Sequence, residues 1–456
     1  MRTKSVRQLY LDFVLPSSST KVVAAYRAKY ASINGLLLAN PLVLDLVHAD
    51  FCRWLSRSDK GRESLYTSEE ILRALVVMFV EGDSYRDVSV RIENSEFLRG
   101  FLGLGFFKPM MDFSFVGKAF AALSEATWQA VNDALAQYAQ GKAWITGEKL
   151  RTDTTAYESN IHWPTDSSLL WDSFRVLSRV LGRVQRELPE LGLKHRYHDK
   201  KVKKLAFYIA RNAKSASKAT QRQVKRTYGT LIDRVRWIAG VSNDVRQRLR
   251  HTLFGAPELD HYTPIVERII DQAQRRVFDG EAVPAGEKVY SLFEEHTELL
   301  KRGKAGKDVE FGHKVLIAQT GEKFISHYRV MPVREEDGDL LNGTIQAHRG
   351  LFGHMPSTLA TDKGFYKSVK QLADIEQEIE TVSICKKGRR TKAEEEREHG
   401  DAFQDGQRFR AGVEGTISVL KRAFKLNRCL FKGFNHFATS VGCAVFCHNL
   451  VLLAQR

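Results

Sequence analysis

Ala143-Trp-Ile-Thr-Gly-Glu-Lys-Leu-Arg-Thr-Asp153-Thr-Thr-Ala-Tyr157 is where the chain changes character. Before it, apolar residues recur at helical spacing. Ser68–Val80 opens on a capping residue and runs as an amphipathic helix, Gly82-Asp-Ser84 breaks it, and Tyr85–Ile92 follows. Asn94-Ser95 precedes a helix over Glu96–Leu102, and after Gly103, Gly105 and Pro109 another starts near Ser114. Residues 1–142 therefore read as an all-helical N-terminal domain, either a helix-turn-helix-like unit or a plain bundle. From Trp144 the period becomes that of a strand, which ends on Asp153 and its turn.

Beyond that strand, Pro164-Thr-Asp166 caps a helix beginning near Leu169. Residues 173–285 form a helical excursion, with breaks expected near Gly192, Gly229, Gly240 and Gly255-Ala-Pro257. Strands are expected at Val289–Phe293, Val309–Gln319 and Phe324–Met331, the last two joined by the turn Gln319-Thr-Gly-Glu322. A helix over Gln346–Phe352, a short buried strand Ser357–Thr361 ending on Asp362, a helix Tyr366–Ile375 and a strand Glu380–Ile384 follow. Cys385–His399 reads as a charged loop, and helices over Phe403–Phe424 and Ala438–Leu453 close the chain. Without the excursion, residues 143–172 and 286–456 spell an α/β domain, a mixed sheet with flanking helices of the RNase H-like kind.

The net charge of +16 favours a polyanionic partner. It is concentrated: residues 194–250 carry 17 Lys/Arg against 3 Asp/Glu, and Lys200, Lys201, Lys203 and Lys204 head that segment as contacts for a nucleic-acid backbone. The 5 cysteines form no paired framework, which fits reduced thiols in a cytosol. The basic N-terminus lacks an apolar signal core, and no apolar run approaches the roughly 20 residues of a membrane span. Cytoplasmic, nucleoid-associated placement is the expectation.

Asp153 and Asp362 would each stand at the carboxyl end of a strand, where α/β sheets gather their active sites. In Phe409–Arg422, Arg410, Glu414 and Lys421 share one helical face, since steps of four and seven residues turn by about +40° and −20°. Each piece alone is weak. A single aspartate closing a strand is usually a turn residue, and Arg and Glu four apart are usually a surface ion pair. Together they suit metal-dependent phosphodiester chemistry. Three carboxylates could hold two Mg²⁺ (or Mn²⁺) ions, while Arg410 and Lys421 grip phosphates. Gly364 suits a turn of positive φ. Asp166 reads as a helix cap, and Glu148, Glu158 and Asp172 as solvated. Cys443, Cys447 and His448 lie in apolar surroundings and read as core rather than zinc ligands. Gly-Lys-Ala-Gly-Lys307 lacks P-loop spacing.

Leu150–Leu170, Val309–Lys314, Ala360-Thr-Asp362-Lys-Gly364, Phe409–Glu414 and His448-Asn-Leu450 together resemble insertion-sequence transposases of the DDE type, nearest the bacterial group ISNCY. The likeness covers roughly residues 62–456. It implies that Asp153, Asp362 and Glu414 are a metal-binding catalytic triad. It also implies binding of double-stranded DNA at terminal inverted repeats and target, and a homodimer that joins two ends. Arg410 and Lys421 match the Tyr-x-x-Arg-x-x-x-Glu-x6-Lys signature of related transposases, but Gln407 stands where its tyrosine would be. The long insertion falls between the two aspartates, which are separated by 208 residues, whereas only 51 lie between Asp362 and Glu414. An RNase H-like nuclease or resolvase, and a domesticated DNA-binding protein with a dead site, are the rival readings.

Overall fold

The computed structural model describes residues 2–5, 20–55, 64–105, 107–250, 256–304 and 307–456. Gly255 and the middle of the Gly-Lys-Ala-Gly-Lys307 stretch lie outside them. The chain is mixed α/β and packs as two compact units, residues 1–158 with 313–456, and residues 159–312.

The first unit begins with helices α1 (Lys21–Ala39), α2 (Pro41–Leu55), α3 (Ser68–Val80), α4 (Tyr85–Glu93), α5 (Glu96–Leu102), α6 (Phe113–Ala122) and α7 (Glu125–Gly141). Their starts follow capping chemistry. Thr67, one residue ahead of the expected Ser68, accepts the Glu70 amide while Glu70 accepts the Thr67 amide. Ser84 and Asp87 do the same for α4. Gly103 ends α5 in the left-handed conformation its lack of Cβ allows.

Strand β1 (Lys149–Ser159) then enters the sheet. The second unit holds α8 (Asp166–Glu187), α9 (Asp199–Asn212), α10 (Lys218–Leu249), α11 (Pro257–Val277) and β2 (Glu298–Lys304), and it ends within β3 (Lys307–Thr320). The rest of the first unit is β4 (Ile325–Val330), α12 (Asp337–Phe352), β5 (Thr358–Thr361), α13 (Val369–Glu378), β6 (Thr381–Ser383), α14 (Lys392–His399), α15 (Asp401–Ala423), β7 (Arg428–Cys429) and α16 (Phe434–Leu453). The strands follow the order β2-β3-β1-β5-β6, with β4 on β3 and β7 on β1. β1, β5 and β6 run parallel, and β2, β3 and β4 pair antiparallel.

Alternation along β3 sorts its side chains between two cores. Val315 and Ile317 join the core that holds the buried residues of α3, α7 and α16, while Leu316 and Ala318 join Leu340, Leu341 and Ile345 of α12. On the first side Asn449 of α16 closes the backbone of β4. Its Oδ1 accepts the Ile325 amide at 3.0 Å, and its Nδ2 donates to the Ile325 carbonyl at 2.9 Å and to Asn132 at 2.8 Å. The helices of residues 1–142 thus share one core with the sheet. The second unit has its own core, built from α8 to α11 with Val289 and Leu292.

Several expectations change. β1 does not stop at Asp153 but runs on to Ser159, because β7 pairs with it and the Glu158 amide bonds the Asn427 carbonyl. Val289–Phe293 pairs with no strand among the described residues. Val289 and Leu292 enter the helical core, and the Val289 amide is taken by the Gln272 side chain. Gly229 and Gly240 do not break α10. Each costs about 1 kcal/mol relative to alanine, but the buried stripe Leu231, Val235, Ile238, Ser242, Val245 and Leu249 carries the helix through. The charged stretch after Cys385 contains α14, capped by Thr391 and tied by ion pairs of Lys386 to Glu394, Arg390 to Glu398 and Arg397 to Glu376. The helix expected over Gln346–Phe352 starts at Asp337, and the one from Tyr366 at Val369. α16 is long and apolar enough to cross a membrane, as is the bent pair α1–α2, although no such run stood out in the sequence. Its window is 83% buried inside the protein, as a core helix would be.

Candidate active site

β1 and β5 meet in parallel register, Leu150 beside Leu359, Arg151 beside Ala360 and Thr152 beside Thr361. One step further along both chains stand Asp153 and Asp362. Neighbouring strands lie about 4.8 Å apart, and equal steps from a shared register point both carboxylates to the same side. The Thr154 amide donates to Asp153 Oδ1 at 2.7 Å. Asp362 ends its strand as expected and accepts the Gly364 amide at 2.8 Å in a single helical turn. Gly364 is not at positive φ. Its role is close approach, since a Cβ there would meet Asp362 Oδ1 at 2.8 Å and Asp337 Oδ2 at 3.0 Å.

α15 lies flush on the sheet because two of its glycines stand where a side chain would not fit. A Cβ on Gly406 would come within 2.5 Å of Ser383 Cβ, and one on Gly412 within 2.0 Å of Arg151 Nη1. Polar bonds fix the helix at that distance. Arg151 donates from Nη1 to the Phe409 carbonyl at 2.7 Å and from Nε to Gln319 at 2.8 Å, with its guanidinium 4.8 Å from the Phe409 ring centroid. Gln319 in turn donates to Thr416 at 2.7 Å. Gln407 donates to the Ser383 carbonyl at 2.8 Å and the Thr361 carbonyl at 3.3 Å. It fastens α15 to the strand that ends in Asp362.

So held, α15 brings Arg410 between two carboxylates. Its Nη2 is 3.6 Å from Asp153 Oδ2, and its Nη1 is 3.1 Å from Glu414 Oε1. Its Nε is buried with no hydrogen-bond partner in the structure. The Asp153 carboxyl is pushed up to about 6, first by burial, then by the charge of Asp362, with a smaller push from Glu414; the Thr154 amide and Arg410 pull the other way. Asp153 therefore feels both other carboxylates, and the Arg410 guanidinium does not offset burial and their charge together. Lys421 shares the face, but seven residues place it about 10 Å along the axis from Glu414, so it serves a neighbouring position rather than this one.

Among the described residues, no three His, Cys, Asp or Glu side chains stand close enough to hold one ion. Glu414, mostly exposed, is turned to Arg410 instead. The donor set nonetheless suits a hard divalent cation. It consists of carboxylate oxygens, and Asp153, raised first by burial and then by the charge of Asp362, is a carboxylate whose charge such an ion would stabilise.

The other candidates separate cleanly. Lys200, Lys201, Lys203 and Lys204 belong to α9, in the second unit, and all four are exposed there. Cys443, Cys447 and His448 are buried in α16, and burial pushes His448 down to about 4, which keeps it neutral. Asp166 is not the cap of α8, a role filled by Thr165; it accepts from Gln272 at 3.1 Å and Arg276 at 2.8 Å. Asp172 is buried rather than solvated, held by Arg175 at 2.8 Å and His162 at 3.3 Å, and Glu158 pairs with Arg428 at 3.2 Å. Glu148 is exposed. Sequence reasoning missed Arg151, Gln319 and Asp337, the last paired with Lys314 at 3.0 Å. Arg151 and Gln319 join elements far apart in the chain, and nothing local marks them.

Comparison of the chain with protein-family models, curated proteins and solved structures finds no match.

Proposed function

We propose that this chain is a DNA transposase with an RNase H-like catalytic core, in which Asp153, Asp362 and Glu414 hold Mg²⁺. The observation that carries the proposal is the register of β1 on β5. It sets Asp153 and Asp362 side by side, with Arg410 and Glu414 brought over them by α15. The motif resemblance adds the direction of the chemistry, cutting at element ends and joining the freed 3′-hydroxyls to target DNA.

The protein's own residues divide the work by position. Asp153 and Asp362, fixed by strand backbone and by the Thr154 and Gly364 amides, present oxygens that cannot swing away. Glu414 is paired with Arg410 and would turn to the cation when one is bound. Arg410, whose Nε is unbonded, would then be free to clamp a phosphate oxygen by its planar fork. Lys421 meets a further phosphate along the strand as a point charge. Asp153, Asp362 and Glu414 would hold the Mg²⁺, which when bound would supply activation of the attacking hydroxyl and neutralisation of charge on the leaving oxygen. Lys200, Lys201, Lys203 and Lys204 bind DNA backbone in the second unit, and two copies of the chain hold the two ends.

The test is cleavage of labelled DNA bearing the repeats that flank the reading frame. Asp153→Asn, Asp362→Asn and Glu414→Gln should each lower Mg²⁺-dependent cleavage by about 10²–10³-fold or more, with end binding within about threefold of wild type. Wild-type-like cleavage by any one of them would remove that residue from the triad. Precut ends that are never joined to target, with cleavage intact, would favour the nuclease reading instead.

A further inference from the structure

α9 carries more than charge. Val202, Ala206 and Ile209 are its buried residues, spaced as one helical face. On the opposite face lie Lys200, Lys203, Lys204, Phe207, Tyr208 and Arg211, within an arc of about 140° at 100° per residue. Phe207 is 50% exposed and Tyr208 37%. The Lys203 ammonium stands 5.5 Å from the Phe207 ring centroid, so ring and cation present one joint surface. Asp199 is the helix's single acid, and it lies at the N-terminal end, where its carboxylate takes the Ser178 hydroxyl.

Beside this face runs an open groove of about 400 Å³ between α8 and α9, lined by Trp171, Arg175, Arg179, Lys200 and Lys203, with Ser178 and Asp199. Cations and an indole thus continue from the helix face into a channel. Duplex backbone would account for the lysines alone. It would not account for Phe207 and Tyr208, because paired bases are stacked inside the helix and offer no ring face to a protein side chain.

We infer that α9 and its groove bind single-stranded DNA, with unpaired bases stacking on Phe207 and Tyr208 and phosphates held by Lys200, Lys203, Lys204 and Arg211. The inference takes from the proposed function only that the substrate is DNA; it uses none of the carboxylates. It gives the second unit a role that duplex binding does not supply, that of holding a strand after it has been separated from its complement.

The experiment uses the full chain in EDTA, so that no cleavage intervenes, and reads fluorescence anisotropy with a labelled oligothymidylate and a duplex of equal length. The single strand should bind more tightly. Phe207→Ala and Tyr208→Ala should each weaken single-strand binding by about 5-fold or more while duplex binding stays within about twofold, and Phe207→Trp should restore it. Lys203→Ala with Lys204→Ala should weaken both and flatten the salt dependence. Binding in EDTA needs no occupied cation site, so single-strand binding there separates failure here from failure of the catalytic reading. The inference is overturned by a preference for duplex, by aromatic variants that lose both forms equally or neither, or by tighter binding of oligouridylate than of oligothymidylate. Both rings are exposed, so unchanged helical circular dichroism is expected in every variant.

Discussion

Asp153 is an acid held where its charge is unwelcome, and the sign of that strain can be worked out. Its folded value of about 6 lies above the ordinary 3.8, so between those values the folded chain binds the proton that the unfolded chain has released. Stability from this group therefore falls as pH rises from about 4 to about 6, and the deficit persists at neutral pH. A rise of that size corresponds to at most about 3 kcal/mol. Asp153→Asn keeps an acceptor for the Thr154 amide and removes the charge. In EDTA it should raise the melting temperature at pH 7 and change little at pH 4, with thermal denaturation at the two pH values as the measurement. Mg²⁺ should stabilise wild type at pH 7 and leave the variant's melting point nearly unmoved. A variant less stable than wild type at pH 7 would mean that Arg410 needs this partner more than the carboxylates suffer from it. The spacing of Arg410 and Glu414 was legible in the sequence, because four residues on a helix fix a face. That Asp362 closes a strand was also legible; the register that sets Asp153 on the adjacent strand was not, because strand pairing across 208 intervening residues has no local code.

At the scale of elements, α15 is placed by absences as much as by contacts. Ser383 Cβ sits on a strand and cannot retreat from a methyl group on Gly406, 2.5 Å away. Gly406→Ala should therefore cost about 1–3 kcal/mol, seen as a lower urea midpoint at unchanged slope. Cleavage should fall further than stability, since lifting α15 also draws Arg410 and Glu414 off the strand ends. A variant as stable as wild type would show that the helix has slack at this point. Local pattern gave α15 well and failed at α10 and α14 for related reasons. Gly229 and Gly240 lower helix propensity by amounts that a buried face outweighs. The run of lysines and glutamates before His399 looks like a solvated loop until its partners Glu376, Lys386 and Arg390 are in place. β2, short and polar, had no alternation by which to be found.

For the whole molecule, the change of period at Trp144 marks a border in sequence but not in packing. α16 is the reason. Its apolar residues wrap all round, so it must be covered on every side. The sheet takes one side, through Tyr157, Ile317 and Tyr328, and α3 and α7 take another. The fit to α7 is close: a Cβ on Gly442 would meet Trp128 Cβ at 2.5 Å. A chain starting at residue 143 would leave Cys443, Val445, Phe446 and Leu450 facing water. It should be recovered as aggregate, or melt without a cooperative transition, although it contains every strand and every candidate catalytic residue. The fragment 159–312 should behave in the opposite way. Its buried cluster, from Leu169 to Leu292, draws on no residue outside the fragment. Expressed alone it should show helical circular dichroism, a single cooperative melt and the single-strand binding assigned to α9. If the 143–456 chain folded and cleaved DNA, the N-terminal helices would be an accessory to the sheet rather than half of its core.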